Sequence, residues 1–205
     1  MSVIVLISGR GSNLEAILDA GLPVSGVISN TTGATGLEIA ARRSVPAQVV
    51  AHRDFASREA FEAALAAEID RFAPRLVALA GFMRILTPGF VGRYAGRLVN
   101  IHPSLLPAFP GLDTHARALA AGVKLHGCTV HYVTADLDHG PIILQAAVPV
   151  RHDDTPDALA ARVLRQEHRA YPRAIGWFLE GRLVSENGVV RVLGNDAQLV
   201  YSDRA

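Results

Sequence analysis

The chain has 205 residues, and its 20 Lys and Arg nearly balance its 19 Asp and Glu, giving a formal net charge of +1 at pH 7. Apolar residues make up 50% of the chain and charged residues 19%, which is typical of a globular protein. Nucleic-acid coats and polybasic membrane binders need a strong excess of Lys and Arg, so this balance argues against both kinds of partner.

Three further features bear on location. No apolar run reaches the roughly 18 residues that are needed to span a bilayer. The N-terminal stretch MSVIVLISGRGSN lacks the basic region of a secretory signal. The single cysteine, Cys128, excludes an intramolecular disulfide and fits a reducing compartment. Together these features predict a cytoplasmic protein without a membrane partner.

The first half of the chain alternates predicted strands with predicted helices. Short, fully apolar runs predict buried strands, and apolar residues at helical spacing predict helices. In chain order these are a strand at Val3–Ile7, a helix at Leu14–Ala20, a strand at Val24–Ser29, a helix at Ala34–Arg43, a strand at Ala47–Val50, a helix at Ser57–Phe72 and a strand at Leu76–Ala80. This alternation predicts an α/β fold with a doubly wound, mostly parallel sheet.

The second half of the chain has a different pattern. The predicted elements are a strand at Arg97–Ile101, strands at His126–Val133 and Pro141–Val150, a long helix at Pro156–Leu179 and a hairpin within Leu183–Leu193. The second and third of these strands are joined by a turn without a helix, so they are expected to be antiparallel. The sequence thus predicts an antiparallel addition to the parallel sheet. The last twelve residues are polar and are expected to fray.

A glycine-rich loop, Ser8–Asn13, separates the first strand from the first helix. Backbone N–H groups at a helix N-terminus bind anions, and glycine lets a phosphate approach closely. The dinucleotide fingerprint fails, because Leu14 replaces its third glycine and Asn30 stands where an acidic residue would close the second strand. The loop predicts either a monophosphate site, with Ser12 and Asn13 as added donors, or a tight turn that needs glycine.

Three polar residues of the second half form a candidate catalytic group. Asn100 and His102 are two residues apart at the end of a predicted strand, so their side chains would share a face. Asp138 lies in a glycine-containing turn. An amide and an imidazolium can donate to a developing oxyanion while a carboxylate keeps the imidazole protonated, which suits acyl transfer. The alternative is a local capping pair and an ordinary turn residue.

Other reactive side chains carry weaker signals. Four further histidines lack ligand spacing such as H-E-x-x-H, so no metal site is predicted. They are His115, His126, His131 and His139. Cys128 falls in a predicted core strand and is expected to be inert packing.

Five blocks of the sequence resemble the folate-dependent formyltransferases, and among these the glycinamide ribonucleotide transformylases. The blocks are VLISGRGSNLEAI, LVALAGFMRIL, LVNIHPSLLPAFPGLDTHARAL, HGCTVHYVTADLDHGPIILQAAVPV and RQEHRAYP. They extend over nearly the whole chain. NIHPSLLP with a later LDxGPI-type turn is specific to enzymes that use 10-formyltetrahydrofolate, and SGRGSN narrows the resemblance to the glycinamide ribonucleotide members.

The resemblance implies roles for particular residues. Asn100, His102 and Asp138 match the catalytic Asn, His and Asp of the family. The substrate-binding matches are Gly11, Ser12 and Asn13, for the phosphate, and Glu167, for the ribonucleotide. The folate-binding matches are Arg58, Met83, Arg84, Ile85, Leu86, Asn100, Thr134, Ala135, Asp136, Leu137 and Asp138. His115 and His131 match histidines close to the family's site.

Three positions depart from the family pattern. Ala108 stands where many relatives have Lys, Asp113 replaces a His of some bacterial members, and Leu164 replaces a Gln or Lys near the ribonucleotide phosphate. These departures affect substrate contacts and leave the three catalytic matches intact.

The resemblance also implies a reaction and an organisation. The formyl group of 10-formyltetrahydrofolate, the co-substrate, would pass to the amine of glycinamide ribonucleotide in purine synthesis, without a metal. Residues 1–205 would form one formyltransferase domain, with phosphate binding in about 1–100 and folate binding and catalysis in about 101–205. The expected partners are these small molecules, and the expected state is a monomer or homodimer.

Three other functions compete with this one. Formyltetrahydrofolate hydrolase shares the Asn, His and Asp, but typically has an N-terminal regulatory domain, whereas this chain begins at its first strand. Methionyl-tRNA formyltransferase is longer and carries an RNA-binding domain. A non-catalytic nucleotide-binding module would need no NIHPSLLP constellation.

Overall fold

The computed structural model describes residues 2–201. Its contacts group into two compact units, the first ending at Asn100 and the second beginning at Ile101. The assignment of phosphate binding to one half and folate binding to the other stays a prediction.

The first unit is built on parallel strands. Its elements are β1 (Val3–Ile7), α1 (Ser12–Asp19), β2 (Val24–Ser29), α2 (Gly36–Arg42), β3 (Ala47–Val49), α3 (Arg58–Arg71), β4 (Leu76–Leu79), α4 (Pro88–Arg93) and β5 (Leu98–His102), the last of which runs on into the second unit. The strand order is β3-β2-β1-β4-β5, and every pairing in it is parallel. The chain therefore winds outward from β1 in one direction and then from β4 in the other, which defines a doubly wound sheet whose direction of winding changes between β1 and β4.

Local sequence explains these elements. Every residue of β1 and β4 is buried, as expected for the central strands of a parallel sheet. Helix α3 begins where the Ser57 side chain accepts a hydrogen bond from the Ala60 N–H at 3.1 Å. Helix α4 begins in the same way at Thr87, with Pro88 in its first turn.

The second unit contains the antiparallel addition. Its further elements are α5 (Thr114–Ala120), β6 (Leu125–Tyr132), β7 (Ile142–Pro149), α6 (Pro156–Leu179), β8 (Leu183–Glu186), β9 (Val189–Val192) and β10 (Leu199–Tyr201). Strands β6 and β7 are antiparallel, and so are β8 and β9. Helix α6 packs against β6 and β7 through its apolar face. The predicted fold class is confirmed.

Two sets of elements differ from the prediction. The short helices α4 and α5 were not predicted, and α4 is rich in glycine. The tail was expected to fray, yet β10 pairs with β7 in parallel. Gln198 holds this strand in place by donating to the Ile143 carbonyl at 2.8 Å and to the Val190 carbonyl at 3.0 Å. Residues 202–205 of the tail lie outside the described residues.

Candidate active site

The glycine-rich loop is a tightly packed turn at the start of α1. Gly11 is the N-cap of this helix and has φ +77°, a value that favours glycine. A Cβ on Gly11 would lie 2.5 Å from the Gly36 Cα, so the loop and α2 approach too closely for any side chain. Gly11 offers no side chain to cap the first-turn amides, which in any helix lack intrahelical acceptors. The geometry explains why this position needs glycine, and the phosphate site predicted at the same helix end stays a prediction.

Asn100 and His102 share strand β5. Asn100 lies opposite Leu79 of β4 in the parallel register, and His102 is the last residue of the strand. Their spacing of two residues places both side chains on one face of β5, as predicted. His102 is buried and Asn100 is half-buried. The strand end thus presents an amide and an imidazole together.

Asp138 meets His102 in the second unit, although 36 positions separate them in the sequence numbering. The His102 Nδ1 lies 3.4 Å from the Asp138 Oδ2, and the two side chains are only 7% and 8% exposed. The turn that carries Asp138 is tight, since a Cβ on Gly140 would lie 1.7 Å from the Tyr132 carbonyl oxygen. Asp138 itself has φ +55°. The fold therefore brings together the imidazole and the carboxylate that the sequence singled out.

The loop after β5 supplies backbone partners to both side chains. The Phe109 carbonyl oxygen lies 3.0 Å from the His102 Nε2, and the Gly111 N–H donates to the Asp138 Oδ2 at 2.8 Å. Both groups facing the imidazole, a carboxylate and a carbonyl, can only accept hydrogen bonds. An imidazole protonated at both nitrogens satisfies both of them. Sequence reasoning missed Phe109 and Gly111, since a backbone role leaves no residue-type signal beyond the Pro- and Gly-rich composition of the loop.

Three more histidines surround this pair. The His131 Nε2 lies 3.9 Å from the Asp138 Oδ1, and the His131 Nδ1 lies 2.9 Å from the Tyr132 carbonyl oxygen. Burial lowers the pKa of His131. The His115 Nδ1 and the His126 Nε2 lie 3.2 Å apart, so one of them donates to the other. Burial, together with the charge of His115, lowers the pKa of His126 to about 4. Burial lowers the pKa of His115 as well, so each of the three shifts favours the uncharged ring.

The structure also bears on possible metal ligands and on Cys128. Within residues 2–201, no group of three or more His, Cys, Asp or Glu side chains is arranged to hold a metal ion. Burial raises the pKa of the Cys128 thiol, and the nearby charge of Glu167 raises it further. A thiol of this kind is unreactive, in keeping with a packing role.

The remaining predicted residues lie on loops and helix faces. Met83–Leu86 follows β4, and in it Met83 and Ile85 are exposed whereas Leu86 is buried. Thr134–Asp138 follows β6, and the Thr134 hydroxyl donates to the Asp136 carbonyl at 3.3 Å. Arg58 is exposed in the first turn of α3, and Glu167 is buried on α6. The roles of all these residues stay predictions.

Comparison with known proteins identifies the class. Residues 1–175 match the family described as "Formyl transferase", so the chain belongs to the formyl transferase family. This family uses formyl-tetrahydrofolate as its co-substrate.

Several members of this family are similar to the chain over most of its length. Phosphoribosylglycinamide formyltransferase of Escherichia coli is 53% identical over 189 residues, covering 89% of each chain. The trifunctional purine biosynthetic protein adenosine-3 of Drosophila melanogaster is 49% identical over 187 residues, which are 87% of this chain and 14% of that protein. The crystal structure of glycinamide ribonucleotide transformylase 1 from Symbiobacterium toebii has a TM-score of 0.92 and 50% identity, covering 95% of this chain and 94% of that one.

Proposed function

We propose that this protein transfers the formyl group of 10-formyltetrahydrofolate to the amine of glycinamide ribonucleotide, in purine biosynthesis. The products are formylglycinamide ribonucleotide and tetrahydrofolate. The observation that carries the proposal is the buried His102–Asp138 pair, with Asn100 on the same strand as His102, in a chain of the formyl transferase family. The names of the relatives supply the acceptor, glycinamide ribonucleotide.

The reaction begins at the two substrate sites. The ribonucleotide phosphate binds the first-turn amides of α1, at Gly11, Ser12 and Asn13, and Glu167 contacts the ribonucleotide. The residues that we propose for folate binding are Arg58, Met83–Leu86 and Thr134–Asp138. Binding both substrates together converts a bimolecular reaction into an effectively unimolecular one, which supplies much of the rate acceleration.

The chemical step is an acyl transfer. The amine nitrogen attacks the formyl carbon and forms a new C–N bond, and the carbonyl oxygen becomes an oxyanion that accepts hydrogen bonds from Asn100 and protonated His102. The bond from the formyl carbon to folate N10 then breaks. The proton lost by the amine passes to N10 through a water that Asp138 orients.

The hydrogen bonds of His102 define which ring nitrogen acts. Nδ1 faces Asp138, so Nε2 is the donor that remains for the oxyanion. In this structure Nε2 faces the Phe109 carbonyl. The formyl oxygen therefore takes the place of that carbonyl when both substrates are bound.

We also propose the cytoplasm as the location, and small molecules rather than nucleic acid as partners. The net charge of +1 and the single cysteine support this. None of the helices within residues 2–201 is long and apolar enough to cross a membrane. A monomer or a homodimer would both accommodate the proposed chemistry.

A direct assay distinguishes this function from that of a hydrolase. The purified protein is incubated with 10-formyltetrahydrofolate, with and without glycinamide ribonucleotide, and formate, tetrahydrofolate and formylated ribonucleotide are quantified. We expect one formylated ribonucleotide per tetrahydrofolate and little turnover without the acceptor. Rapid formate release in the absence of ribonucleotide would instead identify a hydrolase.

A further inference from the structure

The irregular segment Phe82–Thr87, which contains the predicted folate-binding residues Met83–Leu86, is fixed at both ends by side chains from other elements. At its start, the Ser8 Oγ accepts a hydrogen bond from the Met83 N–H at 2.8 Å. At its end, the Glu62 Oε1 accepts from the Thr87 N–H at 2.8 Å, and the other carboxylate oxygen accepts from the Thr87 hydroxyl. The segment belongs to neither a helix nor a strand, so these contacts replace a regular hydrogen-bond ladder.

The two side chains that hold the segment, those of Ser8 and Glu62, lie on or next to regular secondary structure. Ser8 directly follows β1, and its carbonyl accepts a hydrogen bond from the Thr31 hydroxyl at 3.3 Å. Strand β1 is paired with β4, and the Ala80 N–H donates to the Leu6 carbonyl at 2.8 Å just before the segment begins. Glu62 is 4% exposed on α3. A buried carboxylate needs hydrogen-bond donors, and here Thr87 supplies two of them.

The segment is packed at Phe82 and Leu86, which are buried, but not at Met83 and Ile85 between them. Met83 is 64% exposed and Ile85 is 60% exposed, so their side chains contribute few contacts with the body of the unit. Backbone groups that recognise a ligand must nevertheless stay within a fraction of an ångström of their productive positions. The hydrogen bonds that the Ser8 and Glu62 side chains accept from backbone N–H groups supply this precision.

We propose that Ser8 and Glu62 are positioning residues for the folate co-substrate. They hold the backbone of Met83–Leu86 in the shape that meets the pterin, without touching the reacting atoms. This inference rests on the proposed function. Ser8 begins the glycine-rich loop, but the predicted phosphate-binding residues start at Gly11. That part of the loop is held by other hydrogen bonds, which the Gly36 N–H donates to the Gly9 carbonyl at 3.0 Å and the Glu15 N–H to the Gly11 carbonyl at 2.9 Å. Loss of the Ser8 hydroxyl should therefore affect folate selectively.

The first test is the variant Ser8→Ala in steady-state formyl transfer. We expect the KM for 10-formyltetrahydrofolate to rise about three- to tenfold, the worth of one hydrogen bond. The KM for glycinamide ribonucleotide and the turnover at saturation should stay within about twofold. Ser8→Thr keeps the acceptor and should restore the folate KM. Ser25→Ala is the matched control, since that hydroxyl donates to the Val3 carbonyl at the amino end of β1.

Two further measurements support the test. In Ser8→Ala without substrates, hydrogen–deuterium exchange of the Met83 amide should accelerate about tenfold or more, while thermal melting changes little. Glu62→Ala should raise the folate KM as Ser8→Ala does, with the exposed Glu59→Ala of the same helix as its control. If Glu62→Ala does not fold, the two Ser8 variants decide the matter.

An unchanged folate KM in folded Ser8→Ala, or equal losses for both substrates, would overturn the inference. That result differs from a failure of the proposed function, in which the wild-type protein would transfer no formyl group. The exchange rate of the Met83 amide is read without activity, so it reports on the anchor in either case.

Discussion

His102 is the residue whose surroundings are most specific. Its ring is buried between the carboxylate of Asp138 and the carbonyl of Phe109, and both are acceptors. Burial lowers the pKa of both neighbouring rings, His126 and His131. Of the two rings that contact Asp138, His102 has the shorter contact, at 3.4 Å against 3.9 Å for His131. This is the arrangement that an oxyanion donor needs.

The pairing of His102 with Asp138 predicts non-additive losses. Asp138→Asn keeps the size and removes the charge, and we expect turnover to fall about 100-fold or more. Once His102 or Asp138 is lost the other cannot act, so the double variant Asp138→Asn/His102→Asn should be little slower than the slower single variant. The measurement is kcat for all three variants, with His152→Asn, an exposed histidine, as the control. Losses that multiply in the double variant would show that the residues act independently.

The low pKa of His126 predicts that the folded protein loses stability in acid. Its pKa is about 4 in the folded protein, whereas an unfolded histidine titrates near about 6.5. Between these two values the unfolded chain binds the additional proton, so the free energy of unfolding decreases as the pH falls from about 6.5 to 4. This group contributes no pH dependence above that window. His126→Gln cannot titrate and keeps a hydrogen-bonding side chain toward His115.

Chemical denaturation at several pH values tests this point. The wild-type free energy of unfolding should decline more steeply than that of His126→Gln between pH 6.5 and 4, by about 3 kcal/mol at most. Equal slopes for the two proteins would mean that His126 titrates normally in the folded state.

At the scale of elements, the N-terminus of α1 carries the proposed phosphate site. Ser12→Asp adds a negative charge at the first position of this helix, where an acidic residue favours the helix dipole. The fold should therefore be kept or slightly stabilised, while repulsion raises the KM for the ribonucleotide about tenfold or more. Ser12→Ala is the uncharged control, and the KM for folate is measured beside it. A ribonucleotide KM unaffected by the new charge would place the phosphate elsewhere.

The elements also show how far sequence reasoning reaches. Strands β1 and β4 were predicted because each is apolar along its whole length, and α6 because its apolar residues recur at helical spacing. Helix α4 escaped prediction because PGFVGR has two glycines and only six residues. Tertiary contacts stabilise it, since Glu62 accepts from the Thr87 that caps it. Such contacts cannot be deduced from a local pattern.

For the whole molecule, the fold class was predictable from alternation and the candidate site mainly from resemblance. Residue spacing alone placed Asn100 and His102 on one face of a strand. The contact between His102 and Asp138 depends on the turn between β6 and β7. Residue spacing in the sequence could not predict that this turn brings Asp138 to His102. The backbone contacts of Phe109 and Gly111 depend on loop geometry, which a sequence does not specify.

The central claim is that His102, paired with Asp138, promotes formyl transfer to glycinamide ribonucleotide. Turnover of His102→Asn at saturating concentrations of both substrates tests it most directly. We expect a loss of about 100- to 1000-fold relative to the wild-type protein, with substrate affinities little changed, because one oxyanion donor is removed. Turnover of His102→Asn close to that of the wild-type protein would contradict the account.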